Sequence, residues 1–122
     1  MPEPASNRRR FPRLPLYTPV LVKTFGGASE ESLVRTRSVS LGGCKFLHGE
    51  SLGKGALLDL LISLGETVIE AKGQVVYEIP REDGTVEIGV EFLEVPEADR
   101  ATLAAALRRD GVTASDHASS NP

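Results

Sequence analysis

"TVIEAKGQVVYEIPREDGTVEIGVEF", Thr67 to Phe92, holds two β-type runs joined by an Asp-Gly pair at Asp83 and Gly84. In the second run Val86, Ile88, Val90 and Phe92 alternate with Glu87, Gly89 and Glu91. Alternation of this kind puts the apolar side chains on one face of a strand, and Asp-Gly is the preferred corner of a tight hairpin. The stretch therefore predicts an antiparallel pair with one buried and one wet face.

Working upstream, "GALLDLLIS" (Gly55 to Ser63) is an apolar run too short for a confident helix, and the turn "LGE" connects it to Thr67. "CKFL" (Cys44 to Leu47) and "LVRTRSVS" (Leu33 to Ser40) are β-permissive runs separated by Gly42 and Gly43, which break the chain direction or bulge it. "VLVKTF" (Val20 to Phe25) is a first strand, followed by the turn material "GGASEES".

Only the region after Phe92 reads as helical. Pro96 suits a first turn, Glu97 and Asp99 complement the N-terminal dipole, Arg108 and Arg109 the C-terminal one, and Gly111 supplies a stop. Leu103, Ala106 and Leu107 form the apolar stripe that docks it. Six short strands and a terminal helix imply a mostly β protein, a six-stranded antiparallel barrel that removes its sheet edges by closing on itself. The expected organisation is an Arg-rich flexible segment at 1–13, barrel and helix at 14–111, and a disordered tail at 112–122 that holds His117.

The 122 residues, 40% of them hydrophobic, suit one domain. One cysteine excludes an intrachain disulfide framework, and no run of about 18 apolar residues offers a membrane helix, so a cytoplasmic protein without membrane insertion is expected. Cys44 reads as a small core residue rather than a nucleophile.

Charge is lopsided. "NRRRFPRLPL" (Asn7 to Leu16) carries Arg8, Arg9, Arg10 and Arg13 in a chain of net charge -3; residues 1–23 sum to +4 and the remainder to -7. A basic arm on an acidic body argues against a nucleic-acid polymer as partner, because the body repels it. A twin-arginine export signal is disfavoured: the following apolar stretch is short, is interrupted by Pro15 and Pro19, ends at Lys23, and lacks an Ala-x-Ala-like site. A solvated terminus or an anion clamp remains.

Catalysis finds little support. No metal-ligand cluster is apparent, and His48 and His117 lack an obvious nucleophile partner. "GESLGKG" (Gly49 to Gly55) has a spacer one residue short for a phosphate loop and Gly55 where Ser or Thr is required, so it reads as a turn.

Taken together, the chain from about Arg8 to the end of the helix resembles the PilZ domain family, bacterial receptors for cyclic di-GMP. The family's Arg-x-x-x-Arg motif fits Arg9-Arg10-Phe11-Pro12-Arg13, and its (Asp/Asn)-x-Ser-x-x-Gly motif fits Ser38-Val39-Ser40-Leu41-Gly42-Gly43 except at Ser38; "GCKF" and "IGVEF" are also similar to family sequence. The resemblance implies that Arg9 and Arg13 clamp the ligand while Ser40 and Gly43 form its floor, with Arg8, Arg10, Ser38 and Gly42 as the further expected ligand-binding residues. It implies no cofactor beyond cyclic di-GMP as regulatory ligand. The expected partners are an unidentified effector protein and, in a weak homodimer, a second copy of the chain.

The chemistry asks for these residue types. An arginine fork pairs bidentately with a phosphate or with guanine O6 and N7 and also stacks on a base. Ser40 can donate to a phosphate oxygen or hold the turn, and glycines let backbone amides approach an anion. Ser38 is the departure: a serine is shorter and uncharged where the family has Asp or Asn, so the site is either a weakened receptor or a fold that has lost the nucleotide and acts by protein contact.

Overall fold

The computed structural model describes residues 17–24 and 30–119, with side chains through residue 109. Its strands are β1 (Pro19–Thr24), β2 (Glu31–Val39), β3 (Gly43–His48), β4 (Leu57–Leu64), β5 (Thr67–Pro80) and β6 (Val86–Glu94), followed by one helix, α1 (Glu97–Ser119). All neighbouring strands are antiparallel, in the order β1-β2-β3-β6-β5-β4, and β1 pairs with β4 to close the barrel. The expected six-stranded barrel with a C-terminal helix is the observed one.

The β5–β6 corner forms as its Asp-Gly pair suggests. Gly84 takes a φ of 92°, where a side chain is strained, and Asp83 Oδ1 accepts from the Thr85 amide at 2.9 Å and the Thr85 hydroxyl at 2.6 Å. Those bonds hold the Asp83 carboxyl below its ordinary pKa.

Strand alternation builds the core. Val20 and Val22 of β1, Leu58, Leu60 and Ile62 of β4, Ile69, Ala71 and Val75 of β5, and Ile88 and Val90 of β6 all point inward and are buried. Each large aliphatic side chain removed from water this way contributes about 1.5–3 kcal/mol. Cys44 is buried with them, as a core residue would be. α1 packs against β5, with Leu103 fully buried and Ala106 and Leu107 beside it.

Two local expectations need correction. α1 extends to Ser119 rather than stopping at Gly111, since an interior glycine weakens a helix by about 1 kcal/mol without ending it and no proline follows until Pro122. The bulge in the second strand lies between Thr36 and Ser38, around Arg37, and not at Gly42-Gly43. β5 carries two further register shifts, between Lys72 and Gly73 and between Val75 and Tyr77.

Candidate functional site

Thr18 and Thr36 fix the entry to β1. The Thr18 amide donates to Thr36 Oγ1 at 3.0 Å, the Thr36 amide donates to the Thr18 carbonyl at 2.9 Å, and the Thr18 hydroxyl donates to the Ser63 carbonyl. The chain preceding β1 is thus held beside the middle of β2, one residue from the bulge.

At the bulge Thr36 pairs with Phe46 while Ser38 pairs with Lys45, its immediate neighbour, so Arg37 is the extra residue. Its side chain is exposed, and its guanidinium lies 5.8 Å from the ring centroid of Tyr17, which is itself 60% exposed. The bulge also breaks alternation: Ser38, Val39 and Ser40 are all buried in succession. Ser38 is 8% exposed, and its hydroxyl has no hydrogen-bond partner among the described residues. Such an orphan costs free energy unless something pairs with it.

Ser40 organises the turn that follows. Its Oγ accepts from the amides of Gly42 at 3.1 Å and Gly43 at 3.2 Å, its hydroxyl makes a longer 3.4 Å approach to the Gly43 carbonyl, and its own amide donates to that carbonyl at 2.8 Å. Of the two roles open to Ser40 in the sequence, the observed one is holding the turn, and the two glycine amides are already satisfied by it. Gly43 has a packing reason to be glycine: a Cβ there would meet the Val90 carbonyl oxygen at 2.1 Å, where β3 crosses β6. The Phe92 amide donates to the Gly42 carbonyl at 2.8 Å, and Arg100 of α1 reaches the Leu41 carbonyl at 3.5 Å, so "IGVEF" and the helix both brace the turn.

The β2–β3 turn therefore brings together Ser38, Ser40, Gly42 and Gly43. Arg8, Arg9, Arg10 and Arg13 lie outside the described residues, as do the expected segment boundary at 13 and the side chain of His117. The Arg37–Tyr17 pair beside this turn is not among the binding residues expected from the sequence. The signal available was an arginine immediately before the Ser-x-Ser motif; the bulge that turns it outward needed the register.

Elsewhere a carboxylate-binding arrangement is filled by the protein itself. In the "GESLGKG" loop the Ser51 hydroxyl donates to Glu78 Oε1 at 2.6 Å, and the Leu52 and Gly53 amides donate to Glu78 Oε2 at 2.7 and 3.0 Å. Partial burial alone would raise the Glu78 carboxyl, but these donors, with His48 nearby, hold it below its ordinary pKa. His48 ties the same loop to β2: Nε2 lies 3.0 Å from Ser32 Oγ and Nδ1 lies 2.8 Å from the Glu50 carbonyl. The glycines permit the turn, with φ of 96° at Gly53 and 92° at Gly55, and the turn reading of this loop holds.

Among the described residues no group of three His, Cys, Asp or Glu is placed to hold a metal ion, and no helix is long and apolar enough to cross a membrane.

Solved structures of other proteins share the fold. YcgR from Escherichia coli in complex with c-di-GMP matches with a TM-score of 0.72 and 21% identity over 94% of this chain and 51% of that one. The MrkH–c-di-GMP complex of K. pneumonia matches with a TM-score of 0.71 and 21% identity over 88% of this chain and 53% of that one. The Bacillus subtilis inhibitor of motility MotI/DgrA matches with a TM-score of 0.70 and 23% identity over 84% of this chain and 51% of that one. The chain thus aligns with about half the length of each of these relatives. No curated protein matches it. The PilZ domain model matches residues 7–109, from the first arginines through the buried stripe of α1. This chain belongs to the PilZ domain family.

Proposed function

We propose that the chain is a non-enzymatic receptor for cyclic di-GMP, whose arginines at 8, 9, 10 and 13 close over the outer face of the β2–β3 turn when the nucleotide arrives, altering the surface offered to an effector protein. The observation that carries this reading is the buried, unpartnered Ser38 hydroxyl beside the exposed Arg37–Tyr17 pair, at the place where the arginine segment must enter the barrel. Four peptide steps separate Arg13 from Tyr17, so Arg13 cannot lie more than about 14 Å of chain from it. The nucleotide's two phosphates and two guanine edges suit several guanidinium forks at once. Neighbours of the same fold were solved with c-di-GMP, which favours this ligand.

One observation favours a second reading, an adaptor that works by protein contact alone. The turn is complete without ligand, because Ser40 Oγ already satisfies both glycine amides, and Ser38 is shorter and uncharged where the family motif has Asp or Asn.

Calorimetry with the purified chain and cyclic di-GMP distinguishes the two. Binding that weakens in Arg9→Ala and Arg13→Ala, with folding retained, supports the receptor. No heat and no thermal shift at high micromolar nucleotide supports the adaptor.

A further inference from the structure

The outer face of the barrel opposite the inward core residues carries an unusual row. The strand registers place Leu33 of β2 beside Leu21 of β1, and Leu21 beside Leu61 of β4. All three lie on the side away from the core: their sequence neighbours Val20, Val22, Leu60 and Ile62 are buried, whereas Leu33 is 73% and Leu61 40% exposed. Leu33, half-exposed Leu21 and Leu61 thus form a small contiguous apolar patch on the outward sheet face.

The flanks of this row identify the partner. On β2 the outward residues are Glu31, Leu33 and Arg35, all exposed, and neither Glu31 nor Arg35 makes an ion pair among the described residues. This triplet is self-complementary about Leu33: when two β2 strands face each other antiparallel, Leu33 meets Leu33, Glu31 meets Arg35, and Arg35 meets Glu31. The same two-fold operation sets Lys23 against Pro19 and Asp59 against Ser63, so it brings no like charges face to face on β2, β1 or β4. Glu70 of β5, which pairs with Leu61 in the register, would meet its own copy and so bounds the contact on that side.

We infer that this face is a self-association surface, its partner a second copy of the chain related by a two-fold axis through the leucine row. Isologous contacts of this kind need one patch that complements itself, and the Glu31-Leu33-Arg35 triplet is such a patch. Three strands at about 4.8 Å spacing and five residues at about 3.4 Å give a footprint of about 14 by 14 Å per copy. That is far below the roughly 800 Å² per partner of a standard interface, so the dimer is a weak one. Its formation does not depend on nucleotide, and the surface does not include Arg37 or the Ser38–Gly43 turn.

Sedimentation of the full chain from about ten micromolar to about one millimolar tests the inference. The expected result is a dimer fraction that rises with concentration and falls with added salt. Leu33→Asp should abolish it, and Glu31→Arg or Arg35→Glu alone should each raise the dissociation constant at least about fivefold. The double exchange Glu31→Arg with Arg35→Glu restores the pairing and should return the constant to within about twofold of wild type. Circular dichroism checks that each exposed substitution leaves the barrel folded. A chain that stays monomeric at the highest concentration, single charge reversals without effect, or a double exchange no better than the singles would each overturn it.

Discussion

The Arg37 guanidinium lies 5.8 Å from the centre of the Tyr17 ring, joining the bulge of β2 to the residue that precedes β1 by two positions. Both side chains are exposed, so the contact contributes little to stability, about 0.5–1 kcal/mol at most. Its placement is more telling than its strength. An arginine already lying on an aromatic ring is partly ordered, and a guanine can replace the ring or extend the stack.

From this it follows that Arg37→Ala should weaken cyclic di-GMP binding by about threefold to thirtyfold without lowering the melting temperature. Arg37→Lys should recover only part of the loss, because an ammonium keeps the charge but not the planar fork. Calorimetric titration of the three proteins decides it; equal affinities would place Arg37 outside the site.

Gly43 behaves differently. A methyl group there would press into the Val90 backbone carbonyl, which cannot move without opening the β3–β6 pairing. Gly43→Ala should therefore destabilise the barrel by about 2 kcal/mol or more, seen as an earlier midpoint in chemical denaturation. A Gly43→Ala protein as stable as wild type would show that the strands can separate at this crossing at little cost.

Glu78 supplies a pH dependence. Its carboxyl is held below its ordinary value in the folded protein by the Ser51 hydroxyl and the Leu52 and Gly53 amides acting against partial burial. A depressed carboxyl contributes stability above the unfolded-state pKa of about 4.3 and loses it as pH falls through the folded value. Wild type should accordingly lose stability below about pH 4.5 by a margin that Glu78→Gln does not show, and at neutral pH that variant should be less stable by about 1 kcal/mol. Denaturation midpoints between acidic and neutral pH measure both; parallel curves would mean the loop does not depend on the ionised carboxylate.

Much of the barrel was legible because its signals are local. The alternation in Val86 to Phe92 and the Asp83-Gly84 corner each specify their own geometry, and the stripe Leu103, Ala106, Leu107 forecast the buried face of α1. The bulge at Arg37 was not legible, since a bulge is a mismatch between two strands and only the pairing of Thr36 with Phe46 and Ser38 with Lys45 reveals it. The same holds for the role of Gly43, which depends on Val90, forty-seven positions away in sequence. The family motif located the turn; the reason Ser38 is buried lies in the strand beside it.

Ser38 offers the sharpest test, because its hydroxyl is buried and has no partner among the described residues. In the free protein that hydroxyl contributes a desolvation cost and no bond, so Ser38→Ala should leave stability unchanged or raise it by up to about 1 kcal/mol. If the hydroxyl is paired only when nucleotide binds, the same substitution should weaken cyclic di-GMP by about threefold to tenfold. Ser38→Asn should act in the opposite sense, tightening binding by up to about 1.5–3 kcal/mol as it restores the longer acceptor of the family motif; Ser38→Asp should gain less, since its charge faces a dianionic ligand. Two measurements on each variant, thermal unfolding without nucleotide and calorimetry with it, separate the packing role from the binding role. A Ser38→Ala protein that is destabilised and binds as wild type would mean that the hydroxyl serves the barrel alone.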